Sequence, residues 1–313
     1  MYKRFFGLKE NPFNVNPDPR YLVMTRYAEE ALACLTYGVE SRKGFILQTG
    51  EVGTGKTTLI NKLLDHLHRQ CISTAFVFNP RLSVAQFLDF MMADFGIPCD
   101  GLSPRTSKSQ ILLKLNQWLL ERYRNGETAA LIVDESQNLS PQVLEEIRLL
   151  TNLETSTEKL LQIVLSGQPE LEQKLNQPQL RQLRQRITLR CKTYPLTIEE
   201  AHGYVTHRLQ VAGAAEAHSF FSDEAVERIH FYSRGIPRVI NLLCEHALIS
   251  AFVDQRKPVG VDIVEEVARE FQLHEIDPIA PPPAKRDGNG ENVRLMEALQ
   301  SLATLVDRLR TRE

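Results

Sequence analysis

Short apolar runs alternate with amphipathic segments through the first two thirds of the chain. The apolar runs, rich in β-branched and aromatic residues, lie at 44–49, 73–79, 129–134, 160–166 and 187–194. Runs without polar alternation are typical of strands buried on both faces, as in a parallel sheet. Because helical patterns separate these strands, the sequence predicts an α/β fold, a three-layer α/β/α sandwich with right-handed crossovers.

The strand pattern ends near Pro195, and only helical patterns follow it. A first helix surrounds EEAHGYVTHRLQVAG, and others cover 222–233, 237–253 and 261–272. An all-α lid is therefore predicted over 196–273. Capping residues mark several helix starts: Ser83 with Gln86, Ser107 with Gln110, Ser140 before Pro141, and Thr197 with Glu200.

The C-terminal end differs in composition from the residues before it. A linker rich in proline and glycine is predicted over 274–290, and an amphipathic helix over 291–313. The helix carries apolar residues at the spacing of coiled-coil a and d positions: Leu295, Leu299, Leu302, Val306 and Leu309. Two alternatives stay open, a short coiled coil and a helix that folds back on the body.

The most informative motif is GEVGTGKTT, which joins the first apolar run to a helical pattern. Gly50, Gly55, Lys56 and Thr57 match G-x-x-x-x-G-K-[ST], the phosphate-binding loop of nucleoside triphosphatases. Glycines let backbone N–H groups face phosphate oxygens, the lysine reaches the β- and γ-phosphates, and the hydroxyl binds Mg²⁺. The predicted nucleotide-binding residues are Gly50, Glu51, Val52, Gly53, Thr54, Gly55, Lys56, Thr57 and Thr58.

A second motif, AALIVDESQ, ends an apolar run in two carboxylates. Asp134 is predicted to organise Mg²⁺ together with Thr57, and Glu135 to orient the attacking water. Two adjacent carboxylates at the end of a buried strand are costly without a cation, which favours a metal site. The alternative explanation of the pair is that it caps the N-terminus of a helix. The two motifs together predict hydrolysis of ATP or GTP.

Polar residues further along the chain are candidates for contact with the γ-phosphate. Ser166 and Gln168 end the fourth apolar run, and either of them suits a sensor on a strand between the two motif strands. Arg238 opens a predicted helix, where its charge opposes the helix dipole. Contact with the nucleotide phosphates accounts for an arginine at that position.

The segment RQLRQRITLRCK is rich in arginine. Arg181, Arg184, Arg186 and Arg190 lie in it, and a solvated helix end explains most of them. One of the four is a candidate for contact with the γ-phosphate of a neighbouring subunit, where charge develops in the transition state.

Composition narrows the function class only slightly. The 313 residues carry a formal net charge of −2, which gives no general attraction to nucleic acid or anionic membranes. The five cysteines are dispersed without a C-x-x-C pair, as in proteins of a reducing compartment. No run reaches the ~20 apolar residues of a membrane helix, and the N-terminus lacks a signal-peptide pattern, so a soluble cytoplasmic protein is predicted.

These motifs make the chain similar to AAA+ ATPases of the general secretion pathway protein A family, also called ExeA-like, and to secretion ATPases of exosortase and PEP-CTERM loci. The resemblance covers residues 1–273, with FFGLKENPFNVNPDPRYL, YGVESRKGFILQTGEVGTGKTTL, IVDESQNL, LLTNLET, QIVLSGQPEL, LRQLRQRI and SRGIPRVINLLC. It implies ATP and Mg²⁺ as ligands. It also implies a nucleotide-binding domain at 40–195, after an N-terminal segment at 1–39.

The resemblance implies roles for further residues. Arg238 would be the second sensor, and Arg186 the arginine that acts in trans, with Arg184 as the alternative. Pro12 and Phe13 would lie near the adenine. Each of these assignments depends on the family pattern and not on the residues alone.

Two functions follow from the resemblance. The first is an ATPase that forms a ring or filament of identical subunits and assembles or remodels a secretion complex, with export-machinery proteins as partners. The alternative is a DNA-binding regulator of the transposition-ATPase type, with nucleic acid as its partner. The founding member of the family continues into a membrane span and a cell-wall-binding domain, where this chain has the linker and helix. A cytoplasmic location is expected, with the inner membrane reached through a partner protein.

Overall fold

Five parallel strands form the central sheet in the computed structural model, which describes residues 2–78, 81–98 and 108–273. The strands are β1 (Phe45–Thr49), β2 (Ser73–Val77), β3 (Ala129–Val133), β4 (Leu161–Gly167) and β5 (Leu189–Lys192). Their order is β2-β3-β4-β1-β5, and every neighbouring pair is parallel. The three inner strands are buried along their whole length, which explains why their apolar runs predicted them.

Helices cover both faces of this sheet, as the predicted three-layer fold requires. In chain order they begin with α1 (Tyr2–Phe6), α2 (Arg26–Glu40), α3 (Lys56–Arg69), α4 (Val84–Asp94), α5 (Lys108–Arg124), α6 (Pro141–Leu150), α7 (Pro169–Leu175) and α8 (Arg181–Arg186). α2 and α3 pack against Ile46 and Val164, whereas α4 to α8 pack on the opposite face, against Phe45 and Leu131. The predicted α/β fold is confirmed.

Four helices follow the sheet and share a second hydrophobic core. They are α9 (Ile198–Val211), α10 (Asp223–Ser233), α11 (Pro237–Val253) and α12 (Val261–Glu270), and we call them the lid. Leu209, Ile229, Leu243 and Val264 contribute one fully buried side chain from each helix to this core. The all-α module predicted after Pro195 is therefore present.

Local capping signals in the sequence agree with the helix starts. Ser83 and Gln86 form a capping box before α4, and Thr197 and Glu200 form one before α9. Ser140 caps α6, with proline at its first position. Three other predictions lie outside the described residues: the cap at Ser107, the linker at 274–290 and the helix at 291–313.

The N-terminal segment is divided between the two cores. Phe6 of α1 stacks on Phe220 with ring centroids 5.4 Å apart, and the Tyr2 hydroxyl donates to the Glu245 carboxylate at 2.8 Å, so α1 packs against the lid. The chain then crosses to the sheet, where α2 packs. It returns to the lid only between β5 and α9. Two chain crossings therefore join the lid to the sheet.

Candidate nucleotide-binding site

The loop between β1 and α3 has the shape of a phosphate cradle. Gly53 and Gly55 adopt φ angles of +80° and +90°, which favour glycine, and α3 begins at the next residue, Lys56. A Cβ on Gly50 would lie 2.0 Å from Thr193 Oγ1 and 2.8 Å from the Thr193 carbonyl oxygen. The backbone can therefore line the loop only if glycine stands at these positions, as binding of a triphosphate requires.

Lys56 is a buried cation inside this loop. Its side chain is 5% exposed, and its Nζ donates to the carbonyl oxygens of Gly50 and Glu51 at 2.8 Å each. Burial lowers the pKa of the Lys56 ammonium, and the negative charges of Glu135 and Asp134 oppose that shift. Because both hydrogen-bond partners are neutral carbonyls, the ammonium charge is available to an anion in the loop.

Asp134 connects the two motifs. Thr57 Oγ1 donates to Asp134 Oδ2 at 2.6 Å, while Ser166 Oγ and the Glu135 backbone N–H donate to Oδ1 at 2.8 and 2.9 Å. Hydroxyl and carboxylate oxygens are the ligands that Mg²⁺ prefers. Thr57 and Asp134, the pair predicted from sequence to bind the metal, thus lie in direct contact and suit that ion.

Glu135 is held by two side-chain amides. Its Oε2 accepts from Gln137 Nε2 at 2.5 Å and from Gln168 Nε2 at 3.2 Å, and its backbone adopts a φ of +51°. Gln137 Oε1 in turn accepts from the Gln168 backbone N–H at 3.1 Å. Ser166 therefore contacts Asp134, whereas Gln168 contacts Glu135. Sequence reasoning missed Gln137, although its position two residues after Glu135 was a usable signal.

The lid touches the loop at Gly53. The Arg238 backbone N–H donates to the Gly53 carbonyl oxygen at 3.3 Å. A Cβ on Gly53 would lie 2.7 Å from Arg238 Cβ and 3.0 Å from Ile236 Cγ2. The first turn of α11 thus rests on the phosphate cradle, which brings Arg238 to the site that the sequence assigned to it.

A pocket opens beside the loop, between the lid and the N-terminal crossing. Its lining includes Tyr27, Thr54, Thr58, Tyr194, Arg208 and Pro237, and the rings of Tyr27 and Tyr194 lie 4.7 Å apart. Aromatic and polar walls next to a phosphate cradle suit the nucleoside part of a nucleotide. Sequence reasoning had named Thr54 and Thr58 but missed Tyr27, Tyr194, Arg208 and Pro237, because these four come from separate parts of the chain and carry no common motif.

Arg208 fixes one wall of this pocket. Its guanidinium is 5% exposed, donates to the carbonyl oxygens of Pro12 and Asn14 and to the Tyr204 hydroxyl, and lies 4.5 Å from the Tyr21 ring centroid. Phe13, expected near the adenine, is instead 1% exposed in the lid core. The segment that lines the pocket lies further along the chain, because Phe13 is drawn into the apolar interior.

Comparison with known proteins agrees with this geometry. The family model described as an AAA domain matches residues 39–175. Residues 39–175 are an AAA domain. The chain is also 47% identical over 253 residues to general secretion pathway protein A of Aeromonas hydrophila, an alignment that covers 80% of this chain and 45% of that protein. The resemblance inferred from sequence is confirmed, and the chain spans less than half the length of this relative.

Solved structures share the fold of the AAA domain and lid at low sequence identity. ORC2 of Aeropyrum pernix has a TM-score of 0.63 at 17% identity, covering 86% of this chain and 75% of its own. CDC6P of Pyrobaculum aerophilum has a TM-score of 0.59 at 17% identity, with 86% and 70% covered. RuvB of Thermotoga maritima has a TM-score of 0.53 at 16% identity, with 82% and 73% covered. Across the described ranges, none of the helices is both long and apolar enough to span a membrane.

The arginines of α8 lie apart from the AAA domain's phosphate cradle. Arg184 is exposed and donates to Asn176 Oδ1 at 2.9 Å, whereas Arg186 is partly buried at the end of the helix. A hydrogen bond from Lys159 is the larger cause that lowers the pKa of the Glu154 carboxyl, and the positive charge of Arg186 lowers it further. Among the contacts of the described residues, neither arginine touches Lys56 or Asp134 of the same chain.

Gly53→Ala tests the contact between the loop and the lid. A methyl group at a positive φ costs about 1–2 kcal/mol, and overpacking against Arg238 and Ile236 adds about 1–3 kcal/mol. Gly96→Ala is the control, since Gly96 has a φ of +68° and nothing within 4 Å of an added Cβ. Urea unfolding should show the larger loss of unfolding free energy for Gly53→Ala. Equal losses would contradict the packing of α11 on the loop.

Proposed function

We propose that the protein is an ATPase. One observation carries the proposal: Lys56, Thr57, Asp134 and Glu135 meet at the carboxyl edge of β1 and β3, beside a glycine cradle. Binding without hydrolysis would not need a second carboxylate, and Glu135 is that carboxylate. ORC2, which shares this fold, was solved in complexes with ADPNP and ADP, and this supports adenine nucleotides as ligands of the architecture.

The roles of the residues follow from their chemistry. Lys56 would place its ammonium beside the β- and γ-phosphates, and Thr57 and Asp134 would hold Mg²⁺. The metal, when bound, neutralises phosphate charge. Glu135 orients a water molecule for attack on the γ-phosphorus, so that ADP and inorganic phosphate leave. Ser166 keeps Asp134 in place, Gln168 keeps Glu135 in place, and Arg238 contacts the phosphates from the lid.

Lys56→Ala and Glu135→Gln should separate binding from hydrolysis. Loss of the buried ammonium should abolish measurable ATP binding, because it contributes the nearest positive charge in the loop. Glu135→Gln should keep ATP affinity within about threefold of wild type and lower kcat by at least about 100-fold, the lower end of the range for a general base. Fluorescent-nucleotide titration and phosphate release measure the two effects. Equal ATP affinity in wild type and Lys56→Ala would overturn the phosphate assignment.

We infer that the active form is a ring or filament of identical subunits. The described structure leaves the arginines of α8 away from their own nucleotide loop, as expected for a residue that acts on a neighbour. Arg186 is our candidate, because Arg184 already bonds to Asn176. Lid movement about the two chain crossings would transmit hydrolysis through such an assembly.

Mixing two inactive variants tests Arg186. Arg186→Ala should lose hydrolysis but keep its own loop and Glu135, whereas Glu135→Gln keeps its arginine. In mixed oligomers the arginine of one subunit should serve the loop of the other, so phosphate release should recover to about a quarter of wild type if subunits mix freely. Arg184→Ala is the matched control. Absence of recovery, in samples shown to contain mixed oligomers, would contradict the role of Arg186.

The biological role that we propose is the assembly or remodelling of an export complex in the cytoplasm. The 47% identity to general secretion pathway protein A supports it. Partners would be proteins of the export machinery, through which the ATPase would reach the inner membrane. Mg²⁺ and ATP are the ligands that this role requires.

A DNA-binding regulator is the second candidate. Arg181, Arg184 and Arg190 are exposed on α8 and the edge strand β5, where they provide a basic surface. Duplex-DNA binding by Glu135→Gln, with and without ATP, distinguishes the candidates. We expect no ATP-dependent binding at physiological salt, with ATP-driven oligomerisation as the control in the same samples. Tight binding that weakens steeply with salt would replace the export role with the regulator, because phosphate contacts release counterions.

A further inference from the structure

Four polar residues form a row across the sheet, directly beneath the phosphate loop. Asp134 follows β3, Ser166 lies in β4, Gln48 in β1 and Cys191 in β5. Gln48 is the parallel partner of Ser166 on one side and of Cys191 on the other. Since paired residues of neighbouring parallel strands point to the same face, the side chains of Gln48 and Ser166 lie next to each other.

Gln48 lies on the face of the sheet that α2 and α3 cover, and α3 carries the hydroxyl of Thr57. Side chains alternate along β1, so Gln48 shares a face with Ile46, which packs in the core formed with α2 and α3. Thr57 lies in the first turn of α3. Gln48 therefore occupies the layer between the sheet and the helices α2 and α3, two residues before Gly50 begins the loop.

The Gln48 amide has no protein partner among the described residues. Its side chain is 0% exposed, and neither Oε1 nor Nε2 makes a hydrogen bond there. A buried amide without a partner is rare in native proteins, and it indicates a bound water or a functional demand. An apolar residue would fill this position without the desolvation cost, so packing alone does not explain a glutamine.

Gln162 shows how the same residue behaves when its role is structural. It is also 0% exposed and lies in β4, but at the opposite end of the sheet from the phosphate loop. Its Oε1 accepts from the Gly44 backbone N–H at 2.8 Å, and its Nε2 donates to the Lys159 carbonyl oxygen at 2.9 Å. The oxygen and the nitrogen of the Gln162 amide are both hydrogen-bonded, whereas neither atom of the Gln48 amide is, within the described ranges.

We propose that Gln48 is a positioning residue for ATP hydrolysis, and that its amide donates to Ser166 Oγ through one buried water. Ser166 Oγ gives its only proton to Asp134 Oδ1 and has free lone pairs. A donor on those lone pairs fixes the hydroxyl in that orientation and holds Asp134 for the metal and Thr57. The inference rests on the proposed ATPase function and adds to the same site a residue that acts on Asp134 through Ser166.

The test replaces each buried glutamine by methionine, which has a similar shape and no amide. Gln48→Met should lower kcat about tenfold, raise the Mg²⁺ concentration needed for half-maximal turnover, and leave the KM for ATP within about twofold. It should also raise Tm by about 3 °C, because the buried amide oxygen, which has no partner among the described residues even under this proposal, leaves the interior. Gln162→Met, the matched control, should lower Tm and keep wild-type kcat.

A double-mutant cycle identifies the pathway. If Gln48 acts through Ser166, the Gln48→Met/Ser166→Ala protein should be no slower than Ser166→Ala alone. Multiplicative losses in kcat would overturn the pathway, and a wild-type kcat for Gln48→Met would overturn the proposal. A fall in Tm and kcat for both glutamine variants would reduce Gln48 to core packing.

Two further controls keep the result unambiguous. Gln48→Leu replaces Gln48→Met if the latter fails to fold. If wild type and Gln162→Met hydrolyse ATP and Gln48→Met equals them, only the role of Gln48 is wrong. If wild type neither binds nor hydrolyses ATP, the proposed function fails and the role of Gln48 fails with it.

Discussion

The hydrogen bond between Thr57 and Asp134 is the contact on which the site depends. It joins the first turn of α3 to the end of β3 at 2.6 Å, across the intervening strand β4. Such a bond requires β3, β4 and β1 to be neighbours in that order, which right-handed crossovers of a parallel sheet provide. The apolar strands fix the order, and the order places the hydroxyl, the carboxylate and Ser166 at one edge.

Contacts from the phosphate loop reach the second chain crossing and the lid itself. Thr54 Oγ1 lies 2.7 Å from Thr193 Oγ1, just before the chain leaves β5 for the lid, and Gly53 touches Arg238 in α11. Arg208 ties the lid to the N-terminal crossing at the adjoining pocket. A ligand in the loop would therefore lie beside one chain crossing and beside the first turn of α11, so local changes have a short route to a rigid-body response of the lid.

The sequence predicted what depends on local pattern and missed what depends on distant contacts. The strands, the capping boxes at Ser83 and Thr197 and the phosphate loop each carry their signal within a few neighbouring residues. The packing of α1 on the lid carries none, because Phe6 and its partner Phe220 lie more than two hundred positions apart in the chain. The role of Arg208 left no sign in the sequence for the same reason, because two of its partners are backbone carbonyls nearly two hundred positions earlier in the chain.

The buried polar side chains at the two ends of the sheet differ in whether they have hydrogen-bond partners, and the unpartnered ones reduce the stability of the fold. Far from the loop, Gln162 is buried with every polar atom paired. At the loop, the ammonium of Lys56 has only neutral partners and the amide of Gln48 has none among the described residues. Groups of this kind destabilise the free protein and gain partners when phosphates, metal or water arrive. A ligand bound in the loop would therefore stabilise the folded protein at the edge of the sheet where polar groups of the described residues lack partners.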